Sequence, residues 1–340
     1  MKISIFDVAK KSGLSVVTVS RVLNGAESVR ESNRQKVLAA MKELDYRPSA
    51  AARSLAKGKT GIIGLILTTL QDSFFDAIIN ELNRILSSHG YFLALSVSTE
   101  TEQGEEHYLI QEDRVDGIIL LSPLAEDRFV MEIKRRNIPY VLIDNQQPEH
   151  DANAVNVDNS KGGYMASKHL IELGHTSIAH LSGSECFRST RERRDGFLLA
   201  LREAGLEPFE LAPGDYDTEF GYQTAKRWAE ANQLPTAVFA GDDYIAAGVI
   251  NALTEAGAAV PGDVAVIGYD DQRIASQLRP FLTTIRQPAD TIAAAAADML
   301  LKRLDGTLKR ASGVRVEPSL IERQTTAGPR SSSRPHTHRN

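Results

Sequence analysis

The most specific chemistry in this sequence sits near its start, where Ser15, Val16, Val17, Thr18, Ser20, Arg21 and Asn24 fall within ten residues. On a helix whose amino end enters a DNA major groove, Val16, Val17, Thr18 and Arg21 would face base edges. Arg21 has the fork that pairs bidentately with guanine, whereas the valines can meet only thymine methyls. Ser20 and Asn24 are placed for the phosphate backbone, and Ser15 as helix cap leaves nearby amides free for a phosphate. The plainer alternatives are that the valines are core and that Arg21 is a solvated charge.

Such a helix needs partners to position it. Ile5, Val8 and Ala9 recur at helical spacing and Gly13 breaks the pattern. Ser15 then offers to cap a second helix over 16–24. A third amphipathic helix is expected over 33–44, with Val37, Leu38, Met41 and Leu44 inward. Residues 49–57 suit one short helix, too short to hold alone in water and so expected to order only when something packs on it. Charge agrees with this division. Residues 1–58 carry eleven Lys and Arg against five Asp and Glu, a charge of +6, while the remainder carries 28 against 39, or −11. A cationic head on an anionic body points to a polyanionic partner for the head.

From Gly61 the texture changes to apolar runs alternating with longer amphipathic segments, the pattern of βα units around a parallel sheet. Strands are expected over 62–67, 92–97, 117–121, 140–143, 177–181, 237–240 and 264–268, and helices over 74–88, 160–173, 191–204 and 244–256. They cluster before and after about residue 158, predicting two doubly wound lobes whose strand carboxyl ends share a cleft. The segment 282–287 and the Ala-rich helix 288–304 are expected to cross back to the first lobe. The tail from Gly328 has no periodicity and is expected to be disordered.

Several classes of chemistry lack their residues. No dinucleotide-type glycine loop follows a strand, and no Walker loop, zincin helix or nucleophile elbow occurs, so no enzyme, cofactor or metal is expected. His175 and His180, five apart, read as solvated or core residues, and His336 and His338 belong to the tail. The single cysteine, Cys186, excludes an intramolecular disulfide and a Cys-based metal site. No apolar run reaches the roughly 18 residues of a membrane span, and residues 1–6 lack the apolar core of a signal peptide. A cytoplasmic protein is expected.

Taken together, Phe6-Asp7-Val8-Ala9, Gly13-Leu14-Ser15, the run from Thr18 to Gly25, Tyr46-Arg47-Pro48 and Ala52-Arg53-Ser54-Leu55 resemble the LacI/GalR (lactose-repressor) family of transcription regulators. The likeness continues in Phe74-Phe75, in Arg193 with Gly196-Phe197, in 239–248, in Gly268-Tyr269-Asp270 and in 282–287, and covers about residues 3–325. Arg30 departs from it, standing where the family often has Ser or Thr. The resemblance implies an α/β protein with an N-terminal three-helix helix-turn-helix head (1–48), a hinge helix and linker (49–59), and a two-lobed periplasmic-binding-protein-like body with doubly wound parallel sheets. Its lobes would be 60–157 with 288–314 and 158–287 with 315–325, before a tail at 326–340.

The same resemblance implies a homodimer on double-stranded operator DNA, with no membrane role. Ala52 and Leu55 would belong to the hinge helix, Leu55 wedging between base pairs in the minor groove; packing between domains is the alternative. A small sugar, polyol or sugar derivative would bind between the lobes against Phe74, Phe75, Asp144, Arg193, Tyr216, Asp242, Asp270 and Gln287. Alternatives are core packing for the two phenylalanines and a surface turn for Tyr216. Asp242 or Asp270 would be a cap or turn residue, Asp144 with Arg193 a structural ion pair, and Gln287 linker support. The purine-sensing branch carries an Arg near Phe187, which this chain lacks. The expected function is repression of a carbohydrate-utilisation operon; the competing readings are a sugar-binding transport or sensory protein and an enzyme acting on a sugar.

Overall fold

The computed structural model describes residues 3–26, 28–46, 59–70, 73–98, 107–111, 114–308, 310 and 312–329. It divides into two compact units, residues 1–61 with 113–116 and residues 62–112 with 117–340.

In the first unit, helix α1 (Ile5–Ser12) opens at Ser4, whose backbone N–H and hydroxyl donate to the Asp7 carboxylate at 2.8 and 2.7 Å. It ends at Gly13, which takes the left-handed conformation (φ 66°) that only glycine adopts without strain. Helix α2 (Val16–Leu23) starts at Ser15, whose hydroxyl oxygen accepts the Thr18 N–H at 3.2 Å. Helix α3 (Glu31–Glu43) begins two residues ahead of the expected start, with Arg30 at its cap making no side-chain cap bond. The core is Val8, Ala9, Val19, Val22, Val37 and Ala40, flanked by Met41 and Leu44. Leu38 is exposed, contrary to expectation, because it lies about 100° of helical turn from Val37 and off the stripe that Ala40, Met41 and Leu44 continue.

The second unit holds two six-stranded sheets. The first comprises β1 (Ile62–Leu67), β2 (Phe92–Val97), β3 (Gly117–Leu121), β4 (Tyr140–Ile143), β5 (Ala154–Val157) and, far along the chain, β11 (Val314–Val316). Its order is β11-β5-β4-β3-β1-β2, every pair parallel. Helix α4 (Ser73–Ser88) and helix α10 (Ala289–Leu304) supply Ile78, Leu82, Leu86, Ile292 and Leu300 to one core with these strands. Helix α5 (Glu126–Arg135) joins β3 to β4. The inner strands β1, β3 and β4 are apolar throughout, as burial on both faces demands.

The second sheet, ordered β12-β10-β9-β8-β6-β7, contains β6 (Ile178–Ser182), β7 (Glu210–Pro213), β8 (Ala237–Ala240), β9 (Ala265–Asp270), β10 (Thr283–Arg286) and β12 (Ser319–Ile321). Only β12 runs antiparallel to its neighbour, β10. Helices α6 (Asn159–Glu172) and α7 (Arg188–Glu203) cover one face, and α8 (Thr218–Glu230) and α9 (Asp243–Glu255) the other. The chain passes between the lobes three times, at 157–159, 286–289 and 316–319. The expected return at residue 315 falls two residues later, because Arg315 and Val316 still pair with Asn156 and Val157.

Glycine sets how closely the helix pairs approach. A Cβ on Gly196 would stand 2.0 Å from the Ser160 carbonyl oxygen, and one on Gly248 the same distance from that of Thr218. The first residues of the expected tail are not loose: Thr326 Oγ1 bonds His169 Nε2 at 3.0 Å and the Ala327 carbonyl accepts from His175 Nε2 at 2.7 Å. His180 is core, stacked on Phe239 with ring centroids 4.5 Å apart, its Nδ1 bonded to the Phe239 carbonyl at 2.9 Å. Among the described residues its Nε2 has no partner.

Two consequences follow for stability. Gly196→Ala forces α6 and α7 apart and should cost about 1–3 kcal/mol, read as a lower urea midpoint; an unchanged midpoint contradicts the packing. Burial pulls the His180 pKa down to about 4, so the fold holds the ring neutral. That stability is complete above the unfolded value near 6.5 and is lost as pH falls toward 4, about 3 kcal/mol at most. His180→Phe should therefore flatten the acid side of the stability profile relative to wild type.

Candidate functional site

Helix α2 turns Val19 and Val22 into the head core, so Val17 and Arg21, four residues apart, share the opposite face. Val17 is 62% exposed. Arg21 is exposed, and among the described residues its guanidinium has no partner. Thr18 Oγ1 lies 2.9 Å from Ser15 Oγ, and Asn24 Nδ2 reaches Ser20 Oγ at 3.5 Å. Ser15 and Asn24 are exposed, Thr18 and Ser20 half-buried. Val16 is half-buried against the core, while Val17 points away from it. Ala52 and Leu55 lie outside the described residues.

In the body, a cavity of about 380 Å³ lies between the lobes where the strands of both sheets end. Phe74, Phe75, Asp144, Arg193, Tyr216, Asp242, Asp270 and Gln287 all line it, together with Thr68, Thr69, Ser122, Ser184, Phe187, Ser189, Asp215, Tyr244 and Gln272. Sequence reasoning missed this second set. For Thr68 and Ser122 a positional signal existed, since each follows the carboxyl end of an expected strand, where ligands sit in parallel sheets.

Arg193 organises the floor. It is 5% exposed. Its Nη1 donates to the Gly241 carbonyl at 2.7 Å, its Nε to Asn159 Oδ1 at 2.9 Å, and its Nη2 lies 3.2 Å from Asp270 Oδ1. The guanidinium also stands 3.8 Å from the centre of the Tyr269 ring, a cation–π contact. Burial works most strongly against the Arg193 charge, but Asp270, Tyr216, Tyr269 and Asp144 together outweigh it and raise the pKa overall. Gln287 Nε2 donates to Asp270 Oδ1 at 2.5 Å and Gln272 Nε2 to Asp270 Oδ2 at 3.1 Å. The ion pair is thus Arg193 with Asp270, not with Asp144, and Gln287 supports the carboxylate directly.

Asp144 accepts from Ser122 Oγ at 2.7 Å and, across the cleft, from Ser189 Oγ at 3.3 Å. Burial raises its pKa, while both hydroxyls act against that shift. Asp144, Ser122 and Asp270 have φ of 54°, 47° and 97°, backbone conformations that are sparse outside glycine and cluster at functional sites. Asp242 caps α9 by accepting the Ile245 N–H at 2.7 Å while still facing the cavity. The Tyr216 hydroxyl bonds Thr190, and burial pushes its pKa up to about 12, so it stays a neutral donor. Cys186 is exposed, with its Sγ 3.0 Å from Ser184 Oγ.

The lips also touch directly. The Arg188 backbone N–H donates to Gln146 Oε1 at 2.7 Å, and its guanidinium grips Asp151 at 2.7 and 3.4 Å. On the other side Ser73 donates to Gln272. A cavity walled by carboxylates, hydroxyls, amides and aromatic rings, closed by two lobes, suits a small polar ligand with an apolar face.

Comparison with known proteins agrees with both parts. Residues 4–49 match the model of bacterial regulatory proteins of the lacI family, and residues 167–326 that of a periplasmic binding protein-like domain. The HTH-type transcriptional repressor PurR of Edwardsiella ictaluri (strain 93-146) is 38% identical over 330 residues, 95% of this chain and 97% of its own. Among solved structures, the Lac repressor dimer bound to operator and the anti-inducer ONPF superposes with a TM-score of 0.86 at 29% identity, covering 96% of this chain and all of that one. A complex of the transcriptional regulator CelR with cellobiose gives 0.73 at 28% identity over the same shares. Among the described residues no helix is long and apolar enough to cross a membrane. An exposed Val17–Arg21 face on a helix-turn-helix head, a two-lobed body around a polar cleft and near-full-length similarity to a repressor have one common explanation: this chain belongs to the LacI family of DNA-binding transcriptional repressors.

Proposed function

We propose that the protein represses a carbohydrate-utilisation operon in the cytoplasm, as a homodimer whose grip on its operator is set by a sugar, polyol or sugar derivative held between the lobes. In this reading residues 1–48 read the duplex and 49–59 form the hinge, with Leu55 entering the minor groove beside Ala52. The body lobes are 60–157 with 288–316 and 158–287 with 317–325. Effector changes the relative angle of the lobes, and thereby whether two hinge helices pair on DNA.

The observation that carries the effector assignment is the cleft lining. Asp144, Asp242, Ser122 and Ser189 can accept from or donate to hydroxyls, and Phe74, Phe75 and Tyr216 offer flat faces to the C–H side of a ring. The CelR structure contains cellobiose. Phe187 also lines the cleft, where the purine-sensing branch of the family carries an arginine; an apolar ring there favours a sugar over a purine. On the DNA side, Arg21 supplies guanine recognition, Val17 contacts thymine methyls, and Ser15, Thr18, Ser20 and Asn24 fix the register on phosphates.

Two measurements check this reading. Against the duplex that the wild type selects from a random pool, Arg21→Ala should lose about 1–3 kcal/mol of base discrimination while thermal shifts from bound sugars persist; retained discrimination removes Arg21 from the reading face. A sugar that raises the melting temperature should change operator affinity by the same factor by which operator changes sugar affinity. Sugar binding that operator leaves unaltered would sink the coupling.

A further inference from the structure

We propose that Asp116 is a positioning residue for operator binding: its carboxylate stiffens the joint at which the linker leaves the body, so that the two heads of a dimer are held at one spacing on DNA. This rests on the reading of 49–59 as the linker that carries the head, and adds the residue that anchors it.

The chain passes between the two compact units at Gly61–Ile62 and again at Asp116–Gly117. Asp116 Oδ1 accepts the Thr60 backbone N–H at 2.6 Å and the Thr60 hydroxyl at 3.0 Å, and its Oδ2 accepts the Gly61 N–H at 2.8 Å. One side chain therefore fastens the two covalent crossings to each other, through both of its oxygens. Hydrogen bonds to a carboxylate are about twice as strong as neutral ones, and Asp116 is half-buried, where water competes less. The register puts the carboxylate there. Strands β1 and β3 pair from Ile63 with Gly117, so one step outward Asp116 stands beside the start of β1 and extends the ladder to the two amides ahead of it.

Without that clamp the joint would swivel, because each residue brings two soft dihedrals. Gly61 takes φ 73°, a conformation open to glycine at no steric cost, and glycine is also the residue with most freedom to lose. Bonds to its own N–H and to the preceding one hold the turn in place. A stiff joint matters only when two heads engage one duplex. The second contact then gains from effective concentration if the linkers hold both heads at the half-site spacing, and slack dilutes that gain. A single head on a single half-site has no such dependence.

The test uses the full chain and fluorescence anisotropy with three probes: the duplex that the wild type selects from a random pool, that duplex cut to one half-site, and versions with base pairs inserted at its centre. Asp116→Ala should lose about tenfold or more on the intact duplex, stay within about twofold of wild type on the half-site, and discriminate less against the altered spacings. Asp116→Asn keeps one acceptor oxygen and should fall between; if Asp116→Ala does not fold, Asp116→Asn decides by the same comparison. Hydrogen exchange should show the Thr60 and Gly61 amides released in the variant while those of β1 stay protected. Equal losses on intact and half-site duplexes, or an unaltered spacing preference once those two amides are released, overturn the proposal. If the wild type itself binds the intact duplex no better than the half-site, the two-headed reading has failed and the proposal falls with it.

Discussion

The cleft depends on one buried ion pair. Removing Arg193 and Asp270 from water carries a penalty of several kcal/mol per ion, repaid only by close geometry and by hydrogen bonds to every remaining donor and acceptor. Here that requirement dictates the surroundings: the Gly241 carbonyl ends β8, Asn159 opens α6, Gln287 ends the stretch that includes β10, and Tyr269 lies flat beneath the guanidinium. Each belongs to a different element, so the pair ties the carboxyl ends of β8, β9 and β10 to the amino ends of α6 and α7. The close glycine contacts between α6 and α7 serve the same end, since a wider helix spacing would draw Arg193 away from the strands. Arg193 is thereby a positioning residue for the floor.

The opposite lobe meets this floor through a few polar contacts of another kind. Asp144 to Ser189, Gln146 to the Arg188 backbone, Asp151 to the Arg188 side chain and Ser73 to Gln272 all span the cleft with groups that water can replace. A ligand shifts an equilibrium between lobe arrangements only by its difference in affinity for them. Asp144 is well placed to generate such a difference, because the carboxylate that faces the cavity is also bonded across it to Ser189. A ligand that takes over Asp144 changes a lobe-to-lobe contact in the act of binding.

Legibility followed physical cause. Strands buried on both faces, such as Ile62–Leu67 and Gly117–Leu121, are unbroken apolar runs and stand out in the sequence. Glu210–Pro213, at the sheet edge, is half exposed and reads as loop. Thr283–Arg286 hides its polarity: Thr283 and Thr284 are fully buried because their hydroxyls bond Thr326 and Asp243, partners that no local pattern reveals. Resemblance brought eight residues to one cavity, yet it did not reveal that Arg193 is bonded to Asp270 rather than Asp144 or that Ser122 and Ser189 hold Asp144. Those are long-range pairings, fixed by topology and not by spacing. Leu38 failed for a simpler reason, a rotation of one residue on a short helix.

The head supplies a reason for the proposed control by the body. With the proposed reading face of one exposed cation, Arg21, and an exposed apolar Val17, a single head would offer little base-specific free energy beyond one bidentate contact and methyl packing. Most of its grip must come from phosphates, which are alike on any sequence and weaken steeply with salt. Useful specificity then requires two heads engaged at once, where the second contact gains from effective concentration only if the linker geometry lets both reach their half-sites. A body that alters this geometry by a small amount can switch a strong bivalent complex into two weak monovalent ones without touching any base contact. In the proposed mechanism, weakness in the individual head would be what gives a distant cleft its authority over DNA binding.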